Sequence, residues 1–229
     1  MPYPAPRIHK HPLSTEPDSE YYMLPKILSA LPKDGFTPTP SGAITHDLYD
    51  SQIITAKDTS LRILHTPGHT LDSISIHIPE ERTLYTADTV LGAGTAVFED
   101  LSLYITSLNK MLDLKDRLEY DTLIPSHGPV VVNGAATISM YIKHRLEREA
   151  QVLTLLMTKS PPPGDEHWTT WTIVKDLYAA YPENLWEPAS RGILLHMKKL
   201  EGEGKVKKLG GELKHTQWKV VSRTPSPSL

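Results

Sequence analysis

Three short loops carry side chains whose types suit shared chemistry: Thr66-Pro67-Gly68-His69-Thr70, Thr86-Ala87-Asp88-Thr89 and Ser126-His127-Gly128-Pro129. Two imidazoles and a carboxylate are good donors for a borderline cation such as zinc. The carboxylate can also offer one oxygen to each of two metals, which an imidazole cannot. The chain contains 11 histidines, so chance pairings are expected, and polar loop residues without a metal are the alternative reading. There is no cysteine, which excludes disulfides, thiol nucleophiles and thiolate metal sites and leaves His, Asp and Glu as ligands.

Each of these loops follows a strand-like run, and strand ends are rigid supports from which loops can aim side chains at one point. The stretch 61–65 and the alternating "SISIHI" (73–78) flank the first loop, with Leu61, Ile63 and His65 on one face. "LYTADTVLG" (84–92) is a strand running into a loop, and "TLIPSHGPVVV" (122–132) is another. Between them, 100–114 has Leu101, Tyr104, Leu108 and Leu112 at helical spacing behind Asp100 as N-cap. A long helix is expected over 135–158, with Ile138, Ile142, Leu146, Leu153 and Met157 along one stripe.

"KSPPPGDEH" (159–167) interrupts the pattern and reads as a linker. Two helices and a hairpin turning at Gly210-Gly211 follow, the outline of a winged-helix-like domain over 168–222, with 223–229 a disordered tail. Trp168, Trp171, Trp186 and Trp218 are expected to build that small domain's core and its contact with the body. Residues 188–229 hold nine Lys/Arg against three Glu, on an otherwise acidic chain of net charge −3. The lysines at 198, 199, 205, 207 and 208 form a stripe that either attracts RNA or is a solvated charged face. The first twenty residues show no apolar run and no stretch approaches 18 apolar residues, so the expectation is a cytoplasmic protein without a membrane span.

In this order, "HTPGHTLDS", "LYTADTVLG" and "IPSHGPVV" resemble the later motifs of the metallo-β-lactamase superfamily. "GAGTAVFEDL" and "YIKHRLEREAQVL" are similar to the branch containing β-lactamase-like protein 2 and fungal thioesterases that release polyketides from an acyl carrier protein. The resemblance runs from about Pro6 to Val221. It implies an α+β fold, an N-terminally truncated αββα sandwich over 1–158, followed by the winged-helix-like domain. It also implies two zinc ions, with His69 on the first, His127 on the second and Asp88 bridging. A water activated by those ions would be the nucleophile, so no catalytic side chain is expected. Asp72 could hydrogen-bond a ligand imidazole from behind; capping the turn is the equal alternative.

The family signature His-x-His-x-Asp-His does not occur in this sequence. The only His-x-His is His9-Lys10-His11, followed by Pro12 and Leu13. Four ligands are thereby missing, each zinc retains two protein ligands rather than the usual three, and the expectation is an N-terminally truncated member of impaired activity. Three functions follow. The first is a thioesterase acting on a small-molecule or acyl-carrier-protein-bound thioester. The others are a single-strand-RNA endonuclease gripping phosphates with the basic domain, and a non-catalytic degenerate paralogue.

Overall fold

A computed structural model describes residues 4–13, 23–32 and 34–221. The chain packs as two units, Met1–Ile138 and Ser139–Leu229. The tail 223–229 lies outside the described residues. No described helix is long and apolar enough to cross a membrane.

In the first unit, strands β1 (Ile8–Lys10) and β2 (Thr45–Asp47) form a parallel pair. Helix α1 (Leu24–Ser29) lies between them in sequence. The larger sheet is built in chain order from β3 (Ile53–Thr55), β4 (Ser60–His65), β5 (Ile74–Ile78), β6 (Thr83–Ala87) and β7 (Thr122–Pro125). Neighbours run antiparallel except β6 and β7, which are parallel. A parallel pair needs a crossover, and helix α2 (Leu101–Leu118) supplies it.

The Asp100 carboxylate accepts from the Leu103 amide at 2.9 Å and so caps α2, as its position before the apolar periodicity predicts. The helix runs four residues beyond the expected end and stops at Glu119, whose left-handed backbone (φ 53°) breaks it. Leu101, Tyr104, Leu108 and Met111 form part of its buried stripe, and Ile63, Leu64, Leu84 and Leu123 are the sheet's buried apolar residues. The Ser75 hydroxyl against Met111 Sδ and Lys110 Nζ on the His65 carbonyl tie α2 to β5 and β4. Ile63 and Leu64 are both buried, so β4 is covered on its two faces at the end that leads into the His69 loop.

Helix α3 (Gly134–Thr158) runs from the first unit into the second. Residues 159–167 carry only turns and bends. Helices α4 (Thr170–Leu177) and α5 (Trp186–Gly202) then precede a three-stranded antiparallel sheet of β8 (Trp168–Thr169), β10 (Gln217–Val220) and β9 (Val206–Gly210). Two details differ from the sequence reading. The connection between β9 and β10 contains a helical turn at Leu213–His215 rather than a two-residue hairpin turn, and β8 adds a third strand. The core of this unit gathers Val152, Leu155, Ile173, Val174, Ile193, Met197, Leu200, Trp168 and Trp218. Trp171 and Trp186 are only half-buried; they pack edge to face at 6.3 Å, with Lys214 over the Trp171 ring.

His196 belongs to this core, and its Nδ1 has no hydrogen-bond partner among the described residues. Burial, with the Arg145, Arg148 and Lys199 charges adding to it, pushes its pKa down to about 3. The unfolded chain takes up this proton near pH 6.5, so the depressed folded pKa makes acid unfavourable to folding throughout that interval. Stability should be unaffected above pH 6.5 and should fall as the pH drops toward 3, by about 2 kcal/mol at pH 5. His196→Leu should abolish that contribution. Denaturant titrations of both proteins at pH 7 and pH 5 check it: a difference that does not change with pH contradicts it.

Candidate metal centre

The three singled-out residues meet. His127 Nε2 lies 3.4 Å from Asp88 Oδ1, and His69 Nε2 lies 3.8 Å from Asp88 Oδ2. Each carboxylate oxygen therefore faces a different imidazole.

The backbone explains how each residue arrives there. The His69 loop leaves β4 through a turn in which the Thr66 amide donates to the Ser73 carbonyl and the Gly68 amide to that of Thr70. Asp88 follows Ala87, which takes a left-handed backbone (φ 46°) at a register irregularity between β6 and β7. That kink ends the strand and turns Asp88 out of its line, while the Ser126 amide donates to the Ala87 carbonyl. The His127 loop is held on the loop after Asp88, the Gly92 amide donating to the His127 carbonyl at 2.9 Å. A side chain at Gly92 would meet the Pro129 carbonyl oxygen at 1.9 Å, so only glycine lets the two loops approach this closely.

A non-glycine residue at positive φ is strained by about 1–2 kcal/mol. Ala87→Gly should therefore leave stability unchanged or raise it by about 1 kcal/mol, the reverse of the usual effect of glycine in a strand. Chemical denaturation checks this; a loss of 1 kcal/mol or more contradicts the strain.

The donor atoms suit a metal better than one another. A direct N–H···O bond spans about 2.7–3.2 Å, and both contacts are longer. Zinc bonds of about 2.0–2.2 Å in a tetrahedral arrangement separate their donors by about 3.4 Å. Asp88 Oδ1 is buried and makes no hydrogen bond among the described residues, an orphan that a cation would satisfy. His69 Nδ1 bonds the Val97 carbonyl at 2.9 Å; a carbonyl only accepts, so Nδ1 carries the proton and Nε2 is the nitrogen left to face Asp88. Each position nonetheless receives two donors, one fewer than the three protein ligands usual for catalytic zinc. No set of three or more His, Asp or Glu side chains suited to one metal ion occurs among the described residues. The three side chains supply donors of suitable type and spacing for a metal, one imidazole beside each Asp88 oxygen.

Of the two roles the sequence leaves open for Asp72, support of the His69 ring and capping of the turn, the contacts described lie within the turn and with Lys10. Its carboxylate accepts from the Thr70 hydroxyl at 2.7 Å and pairs with Lys10 Nζ at 3.0 Å. Burial pushes this carboxyl up, yet Thr70 and Lys10 hold it below the usual carboxylate range. The group behind His69 is instead the Val97 carbonyl, which no residue-type pattern could reveal. His9 lies against His46 at 5.2 Å and His11 stacks on His65 at 3.7 Å, so these histidines form ring pairs. Of the lysine stripe, Lys199 and Lys205 are occupied by Glu149 and Glu203.

Residues 4–127 match the metallo-beta-lactamase superfamily, and residues 169–218 match the beta-lactamase associated winged helix domain. The chain belongs to the metallo-beta-lactamase superfamily. Among its relatives is a beta-lactamase-like protein 2 homolog of Drosophila melanogaster, 38% identical over 73% of this chain and 54% of that protein. Another is an atrochrysone carboxyl ACP thioesterase of Aspergillus chevalieri, 34% identical over 76% of this chain and 56% of that one. The chain thus spans about half the length of the curated relatives it matches. A beta-lactamase domain protein from Burkholderia ambifaria has a similar fold, with a TM-score of 0.65 at 17% identity over 88% of this chain and 56% of its own. A metallo-beta-lactamase family protein from Thermus thermophilus gives 0.58 at 21% identity over 76% and 54%.

Proposed function

We propose that this chain is a zinc-dependent hydrolase of thioesterase lineage whose activity is limited by two donors at each metal position. The observation that carries the reading is the Asp88 carboxylate, with one oxygen turned to His69 and the other to His127. Zinc held there would lower the pKa of a coordinated water toward neutrality and polarise the scissile carbonyl. The chain's own residues do the holding. Asp88 supplies the shared carboxylate, the Val97 carbonyl fixes the His69 tautomer, and the Gly92 amide anchors the His127 loop. Similarity to proteins named as acyl-carrier-protein thioesterases supports a thioester, small or carrier-bound, as substrate. Release of free thiol from an acyl thioester in the presence of zinc tests this. Slow release lost in Asp88→Asn is expected; release equal to the blank, or equal in the variant, contradicts it.

A second reading, cleavage of single-stranded RNA, is favoured by the winged helix. Lys198, Lys207, Lys208 and Lys219 are exposed there, and their side-chain ammonium groups pair with no carboxylate among the described residues. Lys207 and Lys219 face each other directly across β9 and β10, an arrangement that repels unless an anion lies over it. Four phosphate contacts would give a slope of about −3 in log affinity against log salt for a single strand. A gel shift that is absent or insensitive to salt removes this reading.

A further inference from the structure

One residue touches both of the loops that carry His69 and Asp88, and it lies in neither. Tyr104, in the first turn of α2, is fully buried. Its hydroxyl donates to the Thr89 carbonyl, next to Asp88, at 2.6 Å. Its backbone lies against Gly68, next to His69, so closely that a Cβ on Gly68 would sit 2.3 Å from Tyr104 Cα and 2.5 Å from its nitrogen. Three more hydrogen bonds join α2 and the residues just before it to that loop. The Glu99 and Asp100 amides donate to the Gly68 carbonyl at 2.7 and 3.1 Å, and the Ser107 hydroxyl donates to the Pro67 carbonyl at 2.7 Å. Phe98 stacks on the Tyr104 ring at 5.2 Å and limits its rotation.

We infer that Tyr104 is a positioning residue: it clamps the His69 and Asp88 loops to one helix and so sets the distance between their donor atoms. The inference rests on the reading of these loops as a metal site. Two loops leaving different strands have no covalent reason to hold a fixed separation. Their separation is fixed here because the N-terminal end of one rigid helix binds the backbone beside each ligand. The phenol does this from a dry position, where an unmade hydrogen bond would strand the Thr89 carbonyl.

Tyr120 provides the control. It is also fully buried, and its hydroxyl donates to the Met111 carbonyl of α2 at 2.8 Å, away from either loop backbone. Tyr104→Phe and Tyr120→Phe each delete one buried hydroxyl and should lower thermal stability comparably. Cobalt(II) binding, followed by its visible absorption, should weaken about tenfold in Tyr104→Phe, the size of effect seen when a group supporting a ligand is removed. The absorption band should also change, and Tyr120→Phe should bind as the unaltered protein does. Amide exchange at Thr89, Gly92 and Glu99 should quicken only in Tyr104→Phe. Equal cobalt affinity in Tyr104→Phe and the unaltered protein, or an equal loss in Tyr120→Phe, overturns the inference. If the unaltered chain binds no cobalt, the metal reading itself fails and amide exchange alone decides the clamp. Faster exchange confined to Tyr104→Phe then sustains it, and unchanged exchange overturns it.

Discussion

Gly68→Ala is expected to unfold the first unit at a temperature about 10 °C or more below that of the unaltered protein and to separate His69 from Asp88. Two independent effects combine. Gly68 has φ +137°, a region of backbone space that residues with a side chain hardly enter. Its Cβ would also press on backbone atoms of Tyr104, which cannot rotate away as the tip of a flexible side chain would. Strain of this kind costs about 1–3 kcal/mol, overpacking a further 1–3 or more, and a domain's whole stability is about 5–15. The loop can yield only by leaving the helix, and that breaks the two amide bonds to the Gly68 carbonyl. Thermal unfolding with a cobalt titration checks both halves. A variant within 2 °C of the unaltered protein and with the same cobalt affinity would contradict this account of the loop.

Trp218→Ala should have an effect of similar size in the second unit. The indole is 2% exposed, packs in the core of that unit and donates from Nε1 to the Thr170 hydroxyl at 2.9 Å. It also sits on the central strand of the small sheet, opposite Trp168 on one side and Lys208 on the other. Truncating a buried tryptophan costs about 3–5 kcal/mol, and for a unit of this size each kcal/mol lowers the midpoint by several degrees. Exchange of the amides in α4 and α5 should rise by about a hundredfold or more, whereas Trp218→Phe, which keeps a ring, should lose much less. A loss below 1 kcal/mol in Trp218→Ala would show that the indole does not hold this core.

The regular elements are legible because their signals are local. Asp100 before an apolar helical period gives the start of α2, and the alternation in 73–78 gives β5. The convergence of His69, Asp88 and His127 is legible only through the motifs around them, since by spacing alone polar loop residues without a metal are the better explanation. What stays hidden depends on backbone atoms and on partners remote in sequence. The Val97 carbonyl behind His69 has no residue-type signature, and any amino acid could have supplied it. Asp72 lies near that histidine in sequence, but Lys10, from the parallel strand pair, claims it. The lysine stripe looks uniform in sequence because its counter-charge Glu149 lies in α3, fifty residues away. The left-handed Ala87 gives no warning either, because alanine has no preference for that conformation.

The measurement closest to the central claim is a zinc titration of the unaltered chain beside Asp88→Asn, with bound metal determined after desalting. The Asp88 side chain faces both histidines, so it would contribute to both positions at once. With Asp88 as the shared ligand, the unaltered chain should take up zinc and Asp88→Asn should lose at least about a hundredfold in affinity, more than the removal of a supporting group would produce. Thermal stability measured without metal should change little, because the buried Asp88 oxygen has no hydrogen bond there to lose. Zinc bound equally by the two proteins, or by neither, would contradict that role of Asp88.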